Sequence, residues 1–308
     1  MFWGVNVFVG LAPFQLLAAS SADNKRASLQ RPQRSTAARS AQRQIGKALM
    51  SDQALRRNLM ARVNVGDFLV RSAARAPNSL AIVDADRRFT YRAFNDWVNR
   101  TAHGLAALDY RRGDALALMS TNNVEFLVVY FACAKLGLIC VPINLFWRQN
   151  ELAYVLGHAA IKGIVVEVGL MGQLAEGLAK APDVRDIVVV GEVDASAAEG
   201  RRLIDFDALQ GSASSEEPEA LVEDRDPLSY LYTSGTTSAP KGVVSSHLAI
   251  YLESLGVALD TRMTANDRAT ALMPLFHTAQ LNVVATPAIA VGASIFIQKG
   301  FVRPACSI

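Results

Sequence analysis

Residues 115–144 read ALALMSTNNVEFLVVYFACAKLGLICVPIN. Residues 115–119 form a short apolar run of the kind a buried strand shows. Asn122 and Asn123 follow, with side chains suited to capping the start of a helix. Residues 124–136 carry only two charges, Glu125 and Lys135, so the helix they predict is apolar on nearly every face. It is too short to span a bilayer and belongs inside a folded body. Gly137 ends it, and residues 138–143 predict a second strand, closed by Pro142 and Asn144. A strand, a crossover helix and a strand make a βαβ unit, and such units build parallel sheets.

The same alternation extends outward. Residues 93–108 place Phe94, Trp97, Val98, Thr101, Leu105 and Leu108 at helical spacing. Residues 149–158 predict a helix, 163–168 and 186–190 strands. The fold class is therefore α/β, a layered sandwich of mostly parallel sheets with helices on both faces. Residues 192–226 are rich in Ala, Ser, Gly and acids and read as a surface connection. The expected organisation is an extension over 1–60, a first α/β subdomain over 61–220, the start of a second over 221–299, and a tail over 300–308.

Charge and composition narrow the function. The 308 residues are 51% hydrophobic and 19% charged, with a net charge of +3, which excludes a disordered chain. Residues 1–50 hold seven Lys/Arg and one Asp, a local +6 that leaves −3 on residues 51–308. The body therefore has no basic excess to draw nucleic acid. Residues 1–20 are uncharged but interrupted by Asn6, Pro13 and Gln15 and preceded by no positive residue. The extension reads as a solvated or misassigned tail, with a membrane-surface anchor and a targeting segment as alternatives. Cys133, Cys140 and Cys306 offer no paired framework, which suits a reducing, cytoplasmic compartment. The alternative location is the membrane periphery, through weak association of residues 1–50.

The chemistry is concentrated in residues 230–244, YLYTSGTTSAPKGVV. Apolar strand residues give way to five hydroxyls, Thr233, Ser234, Thr236, Thr237 and Ser238, around Gly235. Pro240, Lys241 and Gly242 then lead into a second β-branched run. Hydroxyls and free backbone N–H groups donate to a polyanion, and Lys241 adds a compact positive charge for phosphate. The GxxxxGK[ST] nucleotide loop does not fit: Pro240 stands five residues after Gly235, and Gly242 follows Lys241 where a magnesium-binding hydroxyl belongs.

This stretch resembles the signature of the adenylate-forming (AMP-binding) superfamily, and in particular its fatty-acid and acyl-CoA synthetases. Three further segments keep that family's order: Arg88-Phe89-Thr90-Tyr91, Ala132 to Gly137 with Val141 to Asn144, and Met273-Pro274-Leu275-Phe276-His277. The resemblance covers residues 65–299 and implies a carboxylic acid substrate, a fatty acid above all. That acid would be joined to AMP from ATP with Mg²⁺ and then passed to coenzyme A. It implies phosphate binding by Thr233, Ser234, Gly235, Thr236, Thr237, Ser238 and Lys241. It gives Lys241 and His277 catalytic roles and sets Phe276 and His277 against the substrate, with no metal ligand assigned. Two positions depart from the pattern, Ser238 and Gln280, each where Gly is usual, and Gln280 is expected to narrow the neighbouring pocket. Residues 281–291 resemble a helix that often lines the acyl pocket. The family's adenine-contacting, hinge and lysine-bearing segments have no counterpart in these residues, so the chain reads as an N-terminal portion. Reliance on a complementing chain, or silence beyond binding nucleotide or a partner, is the alternative to full turnover. Service to a carrier protein is a third.

Overall fold

The computed structural model describes residues 51–192, 200–233 and 239–299. Residues 1–50, Ser234 to Ser238, and 300–308 with Cys306 lie outside the described residues, as do the readings made of them. The apolar run of residues 124–136 forms a helix whose every residue from Val124 to Lys135 is buried. Asn123 accepts a hydrogen bond from Phe126 N–H at 2.8 Å and so caps its start. Gly137, at φ +69°, ends it in the left-handed conformation that glycine adopts without strain.

Two sheets cover this helix. In chain order the elements are α1 (Gly66–Arg75), β1 (Leu80–Asp84), β2 (Arg87–Thr90), α2 (Tyr91–Ala107), β3 (Ala115–Met119), α3 (Val124–Leu136), β4 (Ile139–Pro142), α4 (Gln149–His158) and β5 (Ile161–Glu167). There follow α5 (Ala175–Ala179), β6 (Asp186–Val190), β7 (Arg202–Asp205), α6 (Phe206–Gln210), β8 (Pro227–Thr233), β9 (Lys241–Ser246), α7 (His247–Asp260), β10 (Arg268–Ala271) and β11 (Ser294–Ile297). The larger sheet runs β7-β6-β5-β3-β4-β8-β9 and the smaller β10-β11-β1-β2. All neighbours are parallel except β8 with β9 and β1 with β2. The α/β sandwich of mostly parallel sheets is thus as expected. One apolar cluster joins α1, α2 and α3 to both sheets, and a second packs α4 and α5 on the far face of the larger sheet.

Several boundaries fall elsewhere than sequence suggests. Residues 51–61 are helical, and Asn58 exchanges hydrogen bonds with the main chain of Val222, so the described fold begins before residue 61. The division between residues 220 and 221 cuts both sheets, because β4 pairs with β8 and β1 with β11. The connection after residue 192 contains β7 and α6; β7 extends the larger sheet through only two half-buried apolar residues, Leu203 and Ile204. Residues 281–291 are not one regular helix. Leu281–Ala285 widens to π geometry before Thr286–Val291, since Pro287 has no N–H to continue the ladder. Edge strand β9 exposes Val243 and Val244.

The charges inside this interior are partnered. Lys135, 1% exposed, donates to Asn95 Oδ1 at 2.7 Å, Asn99 Oδ1 at 2.6 Å and Glu217 Oε2 at 2.6 Å. Burial lowers its pKa while the Glu217 carboxylate pulls it back up. The connection before β8 is tied to the core by this contact. At the other end of α3, Glu125 pairs with Arg87, which also meets Asp84. Cys133 and Cys140 are free and buried, and burial pushes the Cys140 thiol well up. His247, at the start of α7, accepts from Val65 N–H through Nδ1 at 3.2 Å. Burial lowers its pKa to about 4, against the pull of Asp226.

Two stability measurements follow from these groups. Lys135→Met leaves Glu217 without its ammonium partner and costs about 2 kcal/mol, below the figure for a fully buried pair because Glu217 is partly solvated; a lower urea midpoint at constant slope is the readout. His247 is neutral in the fold, whereas in the unfolded chain it binds a proton below pH 6.5. Its contribution is therefore complete above that pH and shrinks as pH falls toward 4, by on the order of 3 kcal/mol. His247→Asn keeps an acceptor for Val65, so its unfolding free energy falls less than the unaltered protein's between pH 7 and pH 5.

Candidate functional site

The hydroxyl-rich segment sits at the end of a hairpin. β8 and β9 pair Tyr230 with Val244, Leu231 with Val243, Tyr232 with Gly242 and Thr233 with Lys241. Thr233 and Lys241 therefore stand opposite each other at the mouth, both exposed. Ser234, Gly235, Thr236, Thr237 and Ser238 lie outside the described residues. No ion pair among the described residues engages Lys241.

One residue below the mouth the hairpin is locked. The Tyr232 ring crosses Gly242, where a Cβ would lie 3.0 Å from the ring's Cζ. Glycine is needed here for the close approach. The Tyr232 hydroxyl, pushed up to about 12 by burial, stays protonated and shares a hydrogen bond with His158 Nδ1 at 2.7 Å. Trp147 meets the Tyr232 ring edge-on at 6.3 Å, and Tyr154 stacks on His158 at 5.1 Å. Sequence reasoning passed over Tyr232 and His158, whose pairing depends on how α4 packs on the sheet.

Topology marks the same place. The chain leaving β4 turns back to β5 on the far side of β3, while the chain leaving β8 turns outward to β9. Such divergence opens a crevice at the C-terminal ends of the strands. The loop after β4 carries Phe146, 79% exposed, whose ring meets Phe276 edge-on at 6.1 Å. Phe276 is buried and contacts the His277 ring at 4.6 Å, while His277 is exposed. Phe276 and His277 are thus brought to the loop after β4, beside the strand that carries Thr233. A second divergence, between β3 and β5, is closed by the protein itself. There Glu167 Oε2 accepts from Thr121 N–H at 2.9 Å, Thr121 Oγ1 at 2.7 Å and Ser120 Oγ at 3.2 Å. Burial raises that carboxyl, but these bonds and the charge of Lys299 outweigh it and hold it below the usual range.

A family model for AMP-binding enzymes matches residues 69–307. The chain belongs to this family. Among its relatives, the long-chain-fatty-acid–CoA ligase FadD13 of Mycobacterium tuberculosis is 32% identical over 229 residues, 72% of this chain and 42% of that protein. The structure of the anthranilate CoA ligase AuaEII in complex with anthranoyl-AMP superposes with a TM-score of 0.71 at 26% identity, covering 79% of this chain and 47% of that one. ATP-bound MatB from Rhodopseudomonas palustris gives a TM-score of 0.69 at 25% identity, covering 79% and 46%. The chain spans less than half the length of these relatives and corresponds to their N-terminal part.

The lock at the base of the hairpin makes its own prediction. Tyr232→Phe removes one hydrogen bond and costs about 1 kcal/mol, while Gly242→Ala displaces the ring and costs about 1–3 kcal/mol. Because both act on one ring, denaturation of the double variant gives less than their sum.

Proposed function

We propose that this chain is the nucleotide- and acid-binding portion of an AMP-forming acid–thiol ligase, with a fatty acid as the favoured substrate. The observation that carries the reading is the hairpin mouth: a Lys241 amine in no ion pair among the described residues, opposite Thr233, at a strand-end crevice bordered by Phe146 and the Phe276–His277 turn. In this reading a carboxylate oxygen attacks the α-phosphorus of ATP. The bond to the bridging oxygen breaks, and pyrophosphate leaves with the electron pair. The charge that grows on the leaving side is offset by Lys241 and by the hydroxyls and N–H groups of Thr233 to Ser238. Phe276 and His277 border the path between acid and thiol, and His277 contacts substrate without acting as a general base. A thiol, that of coenzyme A, then takes the acyl group and releases AMP. Mg²⁺ would neutralise phosphate charge, with no residue of this chain assigned to hold it.

Relatives acting on long-chain fatty acids and on anthranilate support a carboxylic acid in general, and the apolar residues 281–291 favour an apolar one. A cytoplasmic location belongs to the same proposal. No described helix is long and apolar enough to cross a membrane.

Calorimetry with ATP, followed by a hydroxylamine trap for acyl-adenylate, separates binding from chemistry. Lys241→Ala should weaken ATP binding at least about tenfold, the loss of a charge-assisted contact. Equal affinity in the two proteins would sink the proposal.

A further inference from the structure

The turn that presents Phe276 and His277 draws much of its hydrogen bonding from two side-chain amides. Asn122, 6% exposed, lies between β3 and α3 and reaches across to the smaller sheet. Its Nδ2 donates to Met273 O at 2.8 Å, Gln298 O at 3.1 Å and Ala271 O at 3.3 Å, and its Oδ1 accepts from Leu275 N–H at 2.8 Å. Gln280, 1% exposed, approaches from the other end. Its Oε1 accepts from Leu272 N–H at 3.1 Å and Met273 N–H at 3.0 Å, and its Nε2 donates to Thr270 O at 3.4 Å. The N–H groups of Leu272, Met273 and Leu275 all end on these two oxygens, and Pro274 between them has none to offer. Backbone donors removed from water need such partners, and an unmet one costs more than a hydrogen bond gains.

We propose that Asn122 and Gln280 are positioning residues which together fix the turn at residues 272–277, and so set where the Phe276 ring and the His277 imidazole stand beside the β4–β8 crevice. The functional half of this inference rests on the acid-activation reading above; the structural half rests on the hydrogen bonds alone. Asn122 is free for the task because Asn123 and Asp84 accept from the first-turn N–H groups of α3. Gln280, at a place where the family pattern has Gly, turns its side chain to the backbone of Leu272 and Met273. Its contribution to acid selection is to hold the turn, where the sequence suggested that it would narrow the neighbouring pocket.

The two roles are separable by chemistry. A pocket-filling Gln280 would be replaced equally well by Gln280→Met, which has its length without its accepting oxygen. A positioning Gln280 would be replaced better by Gln280→Glu, which keeps that oxygen. Hydrogen exchange on the intact chain reads the amides of Leu272, Met273 and Leu275 against those of Leu116 and Val188 in the larger sheet. Gln280→Met should speed Leu272 and Met273 at least about tenfold, and Asn122→Ala should do the same for Leu275, with the reference amides unchanged. Gln280→Glu, which keeps the accepting oxygen but loses the donor to Thr270 O, should lie closer to the unaltered protein than Gln280→Met does. Calorimetry with decanoyl-sulfamoyl-adenosine, an unreactive mimic of an acyl-adenylate, should give at least about tenfold weaker binding for the Met and Ala variants, with binding retained in Gln280→Glu. Exchange that rises only in step with the reference amides overturns the proposal. So does mimic affinity that survives a loosened turn. If the unaltered chain does not bind the mimic, the acid-activation reading fails, and the exchange pattern alone decides whether the two amides hold the turn. Should Asn122→Ala fail to fold, the Gln280 pair decides.

Discussion

The helix Val124–Leu136 offers water no apolar-free side, and such a helix is stable only where every face is covered. Five of its large apolar side chains, Phe126, Leu127, Val128, Val129 and Phe131, are fully buried. At roughly 2 kcal/mol each, they supply on the order of 10 kcal/mol of gross burial, more than the net stability of a typical domain. No single sheet could provide that cover. The chain builds one sheet on each side, with α1 and α2 closing the flanks. The cover imposes a condition, because both charges on the helix must find partners within reach. Lys135 finds Glu217 and two asparagines, and Glu125 finds Arg87.

Fixing this helix fixes the loops at both of its ends. The four residues before it are fully committed: Ser120 and Thr121 to Glu167, Asn122 to the Met273–Leu275 turn, and Asn123 to the helix cap. The strand after it delivers Phe146 to Phe276. The candidate site thus inherits its geometry from the core, through side chains that touch the site without belonging to it. Such support from behind is what a constellation needs if its own residues are to stay free for a ligand.

How much of this was legible in the sequence varied with how local the signal was. Val124–Leu136, Gln149–His158 and Asp186–Val190 were readable because apolar spacing and terminators fixed them residue by residue. β7 was not, because a four-residue edge strand with Arg202 and Asp205 at its ends buries too little to show an apolar run. The widened turn at Leu281–Ala285 escaped because apolar composition does not distinguish helix types, although Pro287 was a local sign of irregularity. In the candidate site, the hydroxyls, Lys241, Phe276 and His277 were visible as a motif. Tyr232 and His158 were not, since each acts through a partner distant in sequence; Asn122 and Gln280 were noticed but given other roles, as two neighbouring asparagines gave no sign that only one would cap the helix and nothing in the sequence showed Gln280 turning back to the backbone of Leu272 and Met273.

Lys135 and Lys241 mark the two uses of a lysine in this fold. Lys135 is surrounded by oxygens and shut off from water, so its charge is spent in holding Glu217 and cannot be offered to anything else. Lys241 is exposed at the end of an antiparallel pair whose base is locked by Tyr232 against Gly242. A lysine already paired with a carboxylate would have to lose that partner before accepting a phosphate, and the exchange would return little net energy. In the proposed reading, an ammonium that no described residue pairs gives up only water, and the rigid base limits the conformational entropy lost when an anion arrives. Tyr232, held by His158 one residue below the mouth, thus keeps the strand that carries Lys241 in place without taking up its charge.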